Sequence, residues 1–195
     1  MGNRAVFVDR DGVLNDLVYD EEQGRAASPV TARELRVLPF VPASVRKLRG
    51  MGFLVVMISN QPGVAKGQFT RAELERMTAK IRKELAKGRT ALDGEYYCLH
   101  SPDGVVKGLN VACECRKPKP GLLLKAAKDL GIDLGRSYFV GDGLIDVQAG
   151  ARAGCRTILV GHVNTFLARM MEENDATPDY MVHTLKDVPS LLADV

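Results

Sequence analysis

Short apolar runs recur along this chain, separated by stretches in which apolar positions return every three or four residues. The runs RAVFVD (4–9), FLVVMIS (53–59), YYC (96–98), SYFVG (137–141) and CRTILVG (155–161) are rich in β-branched and aromatic side chains and too short for helices. Each predicts a buried strand. Helical periodicity runs through VPASVRKLRGMG (41–52), TRAELERMTAKIRKELAKG (70–88) and PGLLLKAAKDLG (120–131). Thr70 and Glu73 have the spacing of a capping box, Pro120 suits a helix start and Gly131 a helix stop. Strands alternating with helices of this length predict an α/β fold: a doubly wound, mostly parallel, Rossmann-like sheet with helices on both faces.

Residues 16–36 and 100–112 lack either pattern and read as irregular insertions over a binding face. No repeat, low-complexity tract or Pro/Gly/Ser-rich linker divides the 195 residues, so a single domain over 1–195 is expected. A content of 46% hydrophobic and 26% charged residues suits a chain that buries a substantial core. No apolar run approaches a membrane span, and the charged DRD (9–11) interrupts the N-terminal region before a signal-peptide core can form. A cytoplasmic protein without a membrane partner is expected, and a monomer. The net charge of +3 comes from well-mixed signs, without the long basic arm of a nucleic-acid binder.

In open sheets of this class ligands bind beyond the carboxyl ends of the strands, and four predicted strand ends carry suggestive chemistry. In VFVDRDGVLN (6–15), alternate side chains of an extended chain share a face, so Asp9 and Asp11 are expected to point together with Arg10 opposed. Adjacent carboxylates repel, and a magnesium ion would relieve them, since it takes hard oxygen ligands and keeps waters that phosphate can replace. The alternative is a pair of turn residues before Gly12. Ser59, Asn60 and Gln61 follow the second strand with short polar groups that also suit an ordinary turn. Arg116, Lys117 and Lys119 precede a helix whose N-terminus favours anions, unless they are simply a solvated cluster. Asp142 and Asp146 would face one mouth of the sheet if a helix begins at about Gly143, or else form a cap and an exposed helix acid.

Cys98, His100, Cys113 and Cys115 form C-x-H followed by C-x-C, and take three of the four cysteines of the chain. A cytoplasmic enzyme rarely keeps disulfides, whereas three thiolates and an imidazole complete the tetrahedral set of a structural zinc ion; a reduced cysteine cluster is the alternative. Such an ion would pin loop 101–112 and fix the backbone just before Arg116 and Lys117. Cys155 reads as an inert core residue, and His162 and His183 lack ligand spacing and receive no role.

Taken in order, DRDGV, SNQ, KPKPG and GDGLID resemble the motifs of the haloacid dehalogenase (HAD) superfamily of phosphatases over most of the chain. The resemblance implies that Asp9 attacks phosphorus and becomes an aspartyl phosphate, while Asp11 serves as general acid and then general base. It further implies Mg2+ held by Asp9, the backbone carbonyl of Asp11 and Asp142. Ser59 and Lys117 would bind phosphoryl oxygens, and Asp146 would support Lys117 or the water around the metal. The zinc ligands with YYCLHSPDG, CECRKPKPGLLL and SNQPGVAKGQFT narrow the resemblance to the subgroup of D-glycero-D-manno-heptose 1,7-bisphosphate and histidinol-phosphate phosphatases, and look most like the heptose enzymes. This implies a small zinc-binding loop at about 98–115 in place of a large cap domain. It also implies a sugar-phosphate substrate, most like the heptose bisphosphate losing its 7-phosphate, contacted by Asn60, Gln61, Pro62, Arg116 and Lys117.

The chain departs from that subgroup at Gly143, where the heptose enzymes carry lysine, and at Ile145, where they carry an acid; residues 16–35 also differ. A histidinol-phosphate substrate would need acids for its cationic tail, for which Asp20, Glu21 and Glu22 are available unless they are simply a solvated acidic loop. A zinc-stabilised nucleic-acid module is the reading from outside the enzymes. Against it stand the aromatic content of 6% and the lack of a basic stripe. An inactive binding protein of the same fold is opposed by the presence of both Asp9 and Asp11.

Overall fold

A computed structural model describes residues 2–21, 24–162 and 164–194. Along the chain come β1 (Ala5–Val8), β2 (Val18–Asp20), β3 (Arg25–Ala27), α1 (Val41–Gly50), β4 (Leu54–Asn60), α2 (Arg71–Lys87) and β5 (Gly94–Cys98). Then follow α3 (Gly121–Leu130), β6 (Tyr138–Gly141), α4 (Leu144–Ala153), β7 (Arg156–Val160), α5 (Thr165–Glu173), β8 (Tyr180–Val182) and α6 (Val188–Ala193). Six strands form one sheet in the order β5-β4-β1-β6-β7-β8, every neighbouring pair parallel. The order reverses at β1, whose carboxyl end therefore opens into the crevice where ligands bind in such sheets.

Alternation along the strands divides the core. On one face Val6, Val8, Val55 and Met57 pack with Val45 and Leu48 of α1 and Met77 and Ile81 of α2. On the other, Ala5, Phe7, Val56 and Ile58 meet Leu122, Leu123 and Ala126 of α3 and Ala149 and Ala153 of α4. Fully burying side chains of this size stabilises by roughly 1.5–3 kcal/mol each, enough to anchor β1 and β4 as rigid mounts for the residues at their ends.

The five expected strands and three expected helices form at their expected places, and a helix does begin after Gly143. Three features differ. Residues 16–36 are not wholly irregular, because β2 and β3 pair as an antiparallel hairpin in which Val18 opposes Ala27. Its strands are only three residues long and mostly solvated, so no alternating pattern marks them. The capping box at α2 is half formed: Thr70 Oγ1 accepts from the Glu73 N–H at 3.1 Å, but the Glu73 carboxylate accepts from the Ala32 N–H at 2.7 Å. The acid of the motif thus ties loop 28–35 to α2 rather than closing on its own cap. Finally, β8, α5 and α6 form after the last expected strand, in a stretch for which no element is expected.

Candidate active site

Strand β1 stops at Val8, and the chain turns through Gly12 at φ +77°. The extended geometry expected for 9–11 is therefore absent, and Arg10 is not opposed to Asp11. Arg10 is fully buried, and its Nε and Nη2 donate to the two carboxylate oxygens of Asp11, each at 3.0 Å. Asn15 Nδ2 at 2.9 Å and Gln61 Nε2 at 3.0 Å donate to the same carboxylate. Gly12 lets the turn close against the end of β6, since a Cβ there would stand 2.0 Å from Asp142 Oδ2.

Lys117 crosses the mouth of the sheet from the segment before α3. Its buried ammonium lies 2.8 Å from Asp9 Oδ1 and 2.6 Å from Asp146 Oδ1, and donates to the Ile58 carbonyl at 3.3 Å. Burial opposes the charge of Lys117, but Asp9 and Asp146 outweigh it and hold the pKa above that of an ordinary lysine. Asp9 is pushed up to about 7, by burial first and by repulsion from Asp146 and Asp11, with Lys117 pulling the other way. Asp142, at the open rim, is pushed up to about 6, again by desolvation first and then by Asp146.

Asp9, Asp142 and Asp146 bring carboxylate oxygens within 4.8 Å of one another. Among the described residues one ammonium stands among these three acids, and the raised pKa values of two of them reflect desolvation first and then the repulsion from Asp146. An oxygen-only donor set with this charge deficit fits a hard divalent cation such as magnesium. The Asp11 carboxylate, engaged by Arg10, Asn15 and Gln61, is not one of this group.

The end of β4 supplies three consecutive side chains with separate tasks. Ser59 is buried, and its Oγ accepts from Gln61 Nε2 at 3.0 Å. Its own proton remains available for an acceptor in the mouth. Asn60 turns to Lys117: Oδ1 accepts from the Lys117 N–H at 3.0 Å and Nδ2 donates to the Lys117 carbonyl at 3.1 Å. Gln61 joins Ser59 to Asp11 through the two bonds from its Nε2. Nothing in the spacing of SNQ reveals these contacts, because each depends on the turn after β1 or on the arrival of Lys117.

Cys98, His100, Cys113 and Cys115 converge. Their sulfur–sulfur distances of 3.2, 3.3 and 3.6 Å, and the 3.3 and 3.7 Å from His100 Nδ1 to Cys115 and Cys98, are far too long for disulfides. They are close to the edges, about 3.8 Å, of a tetrahedron with metal–sulfur bonds of about 2.3 Å, so the four residues fit a zinc ion. The cluster is tied to the mouth on two sides. Arg116 Nη1 donates to the His100 carbonyl at 3.3 Å, and Gly121 at the start of α3 donates its N–H to the Glu114 carbonyl at 3.1 Å. Lys119 is instead an exposed partner of Glu114 at 2.6 Å and takes no part in the mouth. Cys155 is buried, its thiol pushed up to about 12 by desolvation.

A cavity of about 610 Å3 opens beside Asn60, Gln61 and Pro62, between the β2–β3 hairpin and residues 62–69. Asp20 lines it; Glu21 does not, and Glu22 lies outside the described residues. His162 and His183, unrelated by spacing, come together at the ends of β7 and β8 with ring centroids 4.5 Å apart.

The chain matches the HAD-hydrolase-like family model over residues 114–188. It is 38% identical over 189 residues to the D-glycero-beta-D-manno-heptose-1,7-bisphosphate 7-phosphatase of Salmonella typhi, covering 96% of this chain and 94% of that protein. It is likewise 38% identical over 189 residues to the enzyme of the same name from Escherichia coli K12, covering 96% and 93%. Among solved structures, the D,D-heptose 1,7-bisphosphate phosphatase of B. bronchiseptica, complexed with magnesium and phosphate, superposes with a TM-score of 0.79 at 30% identity over 98% of both chains. With acids, lysine and serine gathered at the strand ends of such a sheet, the chain belongs to the HAD-like hydrolases, as a phosphatase related to the heptose-bisphosphate enzymes.

Proposed function

We propose that this phosphatase removes the 7-phosphate of D-glycero-D-manno-heptose 1,7-bisphosphate, with Asp9 as nucleophile and Asp11 as proton carrier. The observation that carries the reading is the Lys117 ammonium between Asp9 and Asp146, at 2.8 and 2.6 Å. It sets a fixed cation against the nucleophile itself, where phosphoryl charge must be cancelled before a carboxylate can approach a phosphate dianion. Magnesium held by Asp9, the Asp11 backbone carbonyl and Asp142 would supply the remaining charge neutralisation.

In the first step an Asp9 oxygen bonds to phosphorus, the bond from phosphorus to the sugar oxygen breaks, and Asp11 gives that oxygen its proton. In the second, Asp11 takes a proton from water as the water oxygen attacks the aspartyl phosphate, releasing Asp9 and inorganic phosphate. Ser59 donates its free proton to a phosphoryl oxygen in both. The amide from Gln61 to Asp11, 3.0 Å long, holds the proton carrier through the change of role. Asp146 keeps Lys117 charged and in place, and Arg116 reaches the sugar or a phosphate as a fork-shaped donor. Zinc in the Cys98, His100, Cys113 and Cys115 set is structural, since four protein ligands leave no position for a reactant.

The substrate follows from the full-length relatives that bear the heptose-bisphosphate name. We take the chain as one domain acting as a cytoplasmic monomer without a nucleic-acid partner. Among the described residues no helix is long and apolar enough to cross a membrane, and the charges are mixed. Magnesium-dependent phosphate release from both anomers of the bisphosphate, from histidinol phosphate and from hexose phosphates tests the reading, with Asp9→Asn as control. One heptose anomer should lead by orders of magnitude and Asp9→Asn should be inactive. Equal, poor turnover of all substrates rejects the heptose, and an active Asp9→Asn rejects the nucleophile.

A further inference from the structure

We infer that Lys66 recognises the second, non-reacting phosphate of the substrate, in the cavity between the β2–β3 hairpin and residues 62–69. The inference rests on the bisphosphate reading above. The cavity is about 610 Å3, a fitting size for a phosphorylated sugar, and Asn60 and Gln61 form its inner end. Gln61 touches both Asp11 and Ser59 there, so a substrate whose reacting phosphate lies at Asp9 extends its body into this space.

Among the described residues, the charged groups around the cavity leave one cation uncommitted. Glu34 accepts from the Val30 N–H at 2.9 Å, and Asp20 and Arg25 are each engaged by a partner. Lys66 is exposed, and its ammonium has neither an ion pair nor a hydrogen bond among the described residues. Its backbone, by contrast, is firmly held. The Lys66 N–H donates to the Pro62 carbonyl at 2.9 Å, and the Gln68 N–H to the Gly63 carbonyl at 2.9 Å. From the other side, the N–H groups of Val105 and Val106 both reach the Ala65 carbonyl, at 2.8 and 2.9 Å. A rigid turn thus presents a free ammonium to a half-enclosed space, where a dianion is its natural complement. Arg116, the other candidate for a distal phosphate, does not line this cavity, and its Nη1 is on the His100 carbonyl at 3.3 Å.

The test compares kcat/KM for heptose 1,7-bisphosphate with kcat/KM for heptose 7-phosphate, which lacks the distal group. Wild type, Lys66→Met, Lys66→Arg and Arg116→Met are measured side by side. Lys66→Met should cut the bisphosphate-to-monophosphate ratio about 10- to 100-fold, mainly through KM, as expected for one lost charge-assisted hydrogen bond. Lys66→Arg should restore most of it. An unchanged ratio in Lys66→Met, or a ratio lost only in Arg116→Met, overturns the role of Lys66 while leaving the bisphosphate reading intact. A wild-type chain indifferent to the second phosphate overturns both.

Discussion

The side-chain amide of Asn60 closes two hydrogen bonds onto one residue, accepting from the Lys117 N–H at 3.0 Å and donating to the Lys117 carbonyl at 3.1 Å. The ammonium of that same Lys117 stands 2.8 Å from Asp9. The amide at the end of β4 therefore sets the height at which the lysine enters the mouth. Asn60→Ala removes both bonds without touching the acids, so Lys117 gains freedom at the point where an ångström matters. We expect kcat to fall about 10- to 100-fold with KM changed much less, on the scale that small misplacements cost in other sites. Steady-state kinetics decide it: a rise in KM at unchanged kcat would make Asn60 a substrate contact instead.

Asp9 and Asp142 make stability depend on pH in a definite direction. Their pKa values are raised from 3.8 to about 7 and about 6, by desolvation first and then by repulsion from Asp146. Because Asp142 is exposed at the rim, the better-buried Asp9 carries most of the effect. A raised folded-state pKa means that the metal-free fold holds these protons more tightly than the unfolded chain. The stabilisation is complete below about pH 4 and is lost as pH climbs through 6 and 7. Magnesium competes with the same protons, so its effect should grow as they leave. Thermal melts with and without magnesium should show a small metal-induced rise in Tm near pH 5 and a clearly larger one near pH 8. A rise of equal size at both values removes Asp9 and Asp142 as the metal's ligands.

Much of this was legible in the chain, and the illegible part has a physical cause. Strands such as β1 and β6 announce themselves because they are buried on both faces, and Asp9 and Asp142 at their ends inherit a position from that burial. The four zinc-type ligands are readable because spacing alone restricts what three thiols and an imidazole can do. Arg10 lies beside Asp11 rather than opposed to it, because β1 stops at Val8 and the alternation of an extended strand does not reach residue 11. The β2–β3 hairpin left no trace, because a solvated ribbon has no apolar period to read. The links from Asn60 to Lys117 and from Gln61 to Asp11 join residues 57 and 50 positions apart, and only the sheet order brings them together.

Arg10 carries a stability prediction of its own. It is fully buried, and its two donors meet Asp11, itself 7% exposed. Arg10→Met preserves much of the volume but leaves the Asp11 carboxylate with amides alone. Removing one partner of a buried pair strands the other charge, at a typical cost of about 3–5 kcal/mol. Denaturant unfolding at neutral pH should register a loss of that order. A loss below about 1 kcal/mol would mean that Asn15 and Gln61 already satisfy the acid, and that Arg10 serves chiefly as packing.

Zinc removal separates support from chemistry. The four ligands hold the chain at Cys98, directly opposite Asn60 in the β4–β5 pair, and at Cys115, immediately before Arg116 and Lys117. The His100 carbonyl meets Arg116, while the loop between the ligand pairs reaches the Ala65 carbonyl through Val105 and Val106. Without the ion three thiols and an imidazole would have to share this space with only weak bonds among themselves. Chelation, verified by metal analysis, should lower Tm by about 5–10 °C, which for a chain of this length corresponds to a few kcal/mol. It should also raise KM for the bisphosphate several-fold, because Arg116 and the turn that carries Lys66 both lean on the pinned loop. Magnesium-dependent turnover of a small aryl phosphate should persist, since no zinc-type ligand belongs to the Asp9, Asp142 and Asp146 group. If Tm and KM are both unchanged after the ion is gone, the cluster is not what holds the cations in place. If aryl-phosphate turnover vanishes while the fold survives, the ion reaches into the chemistry itself.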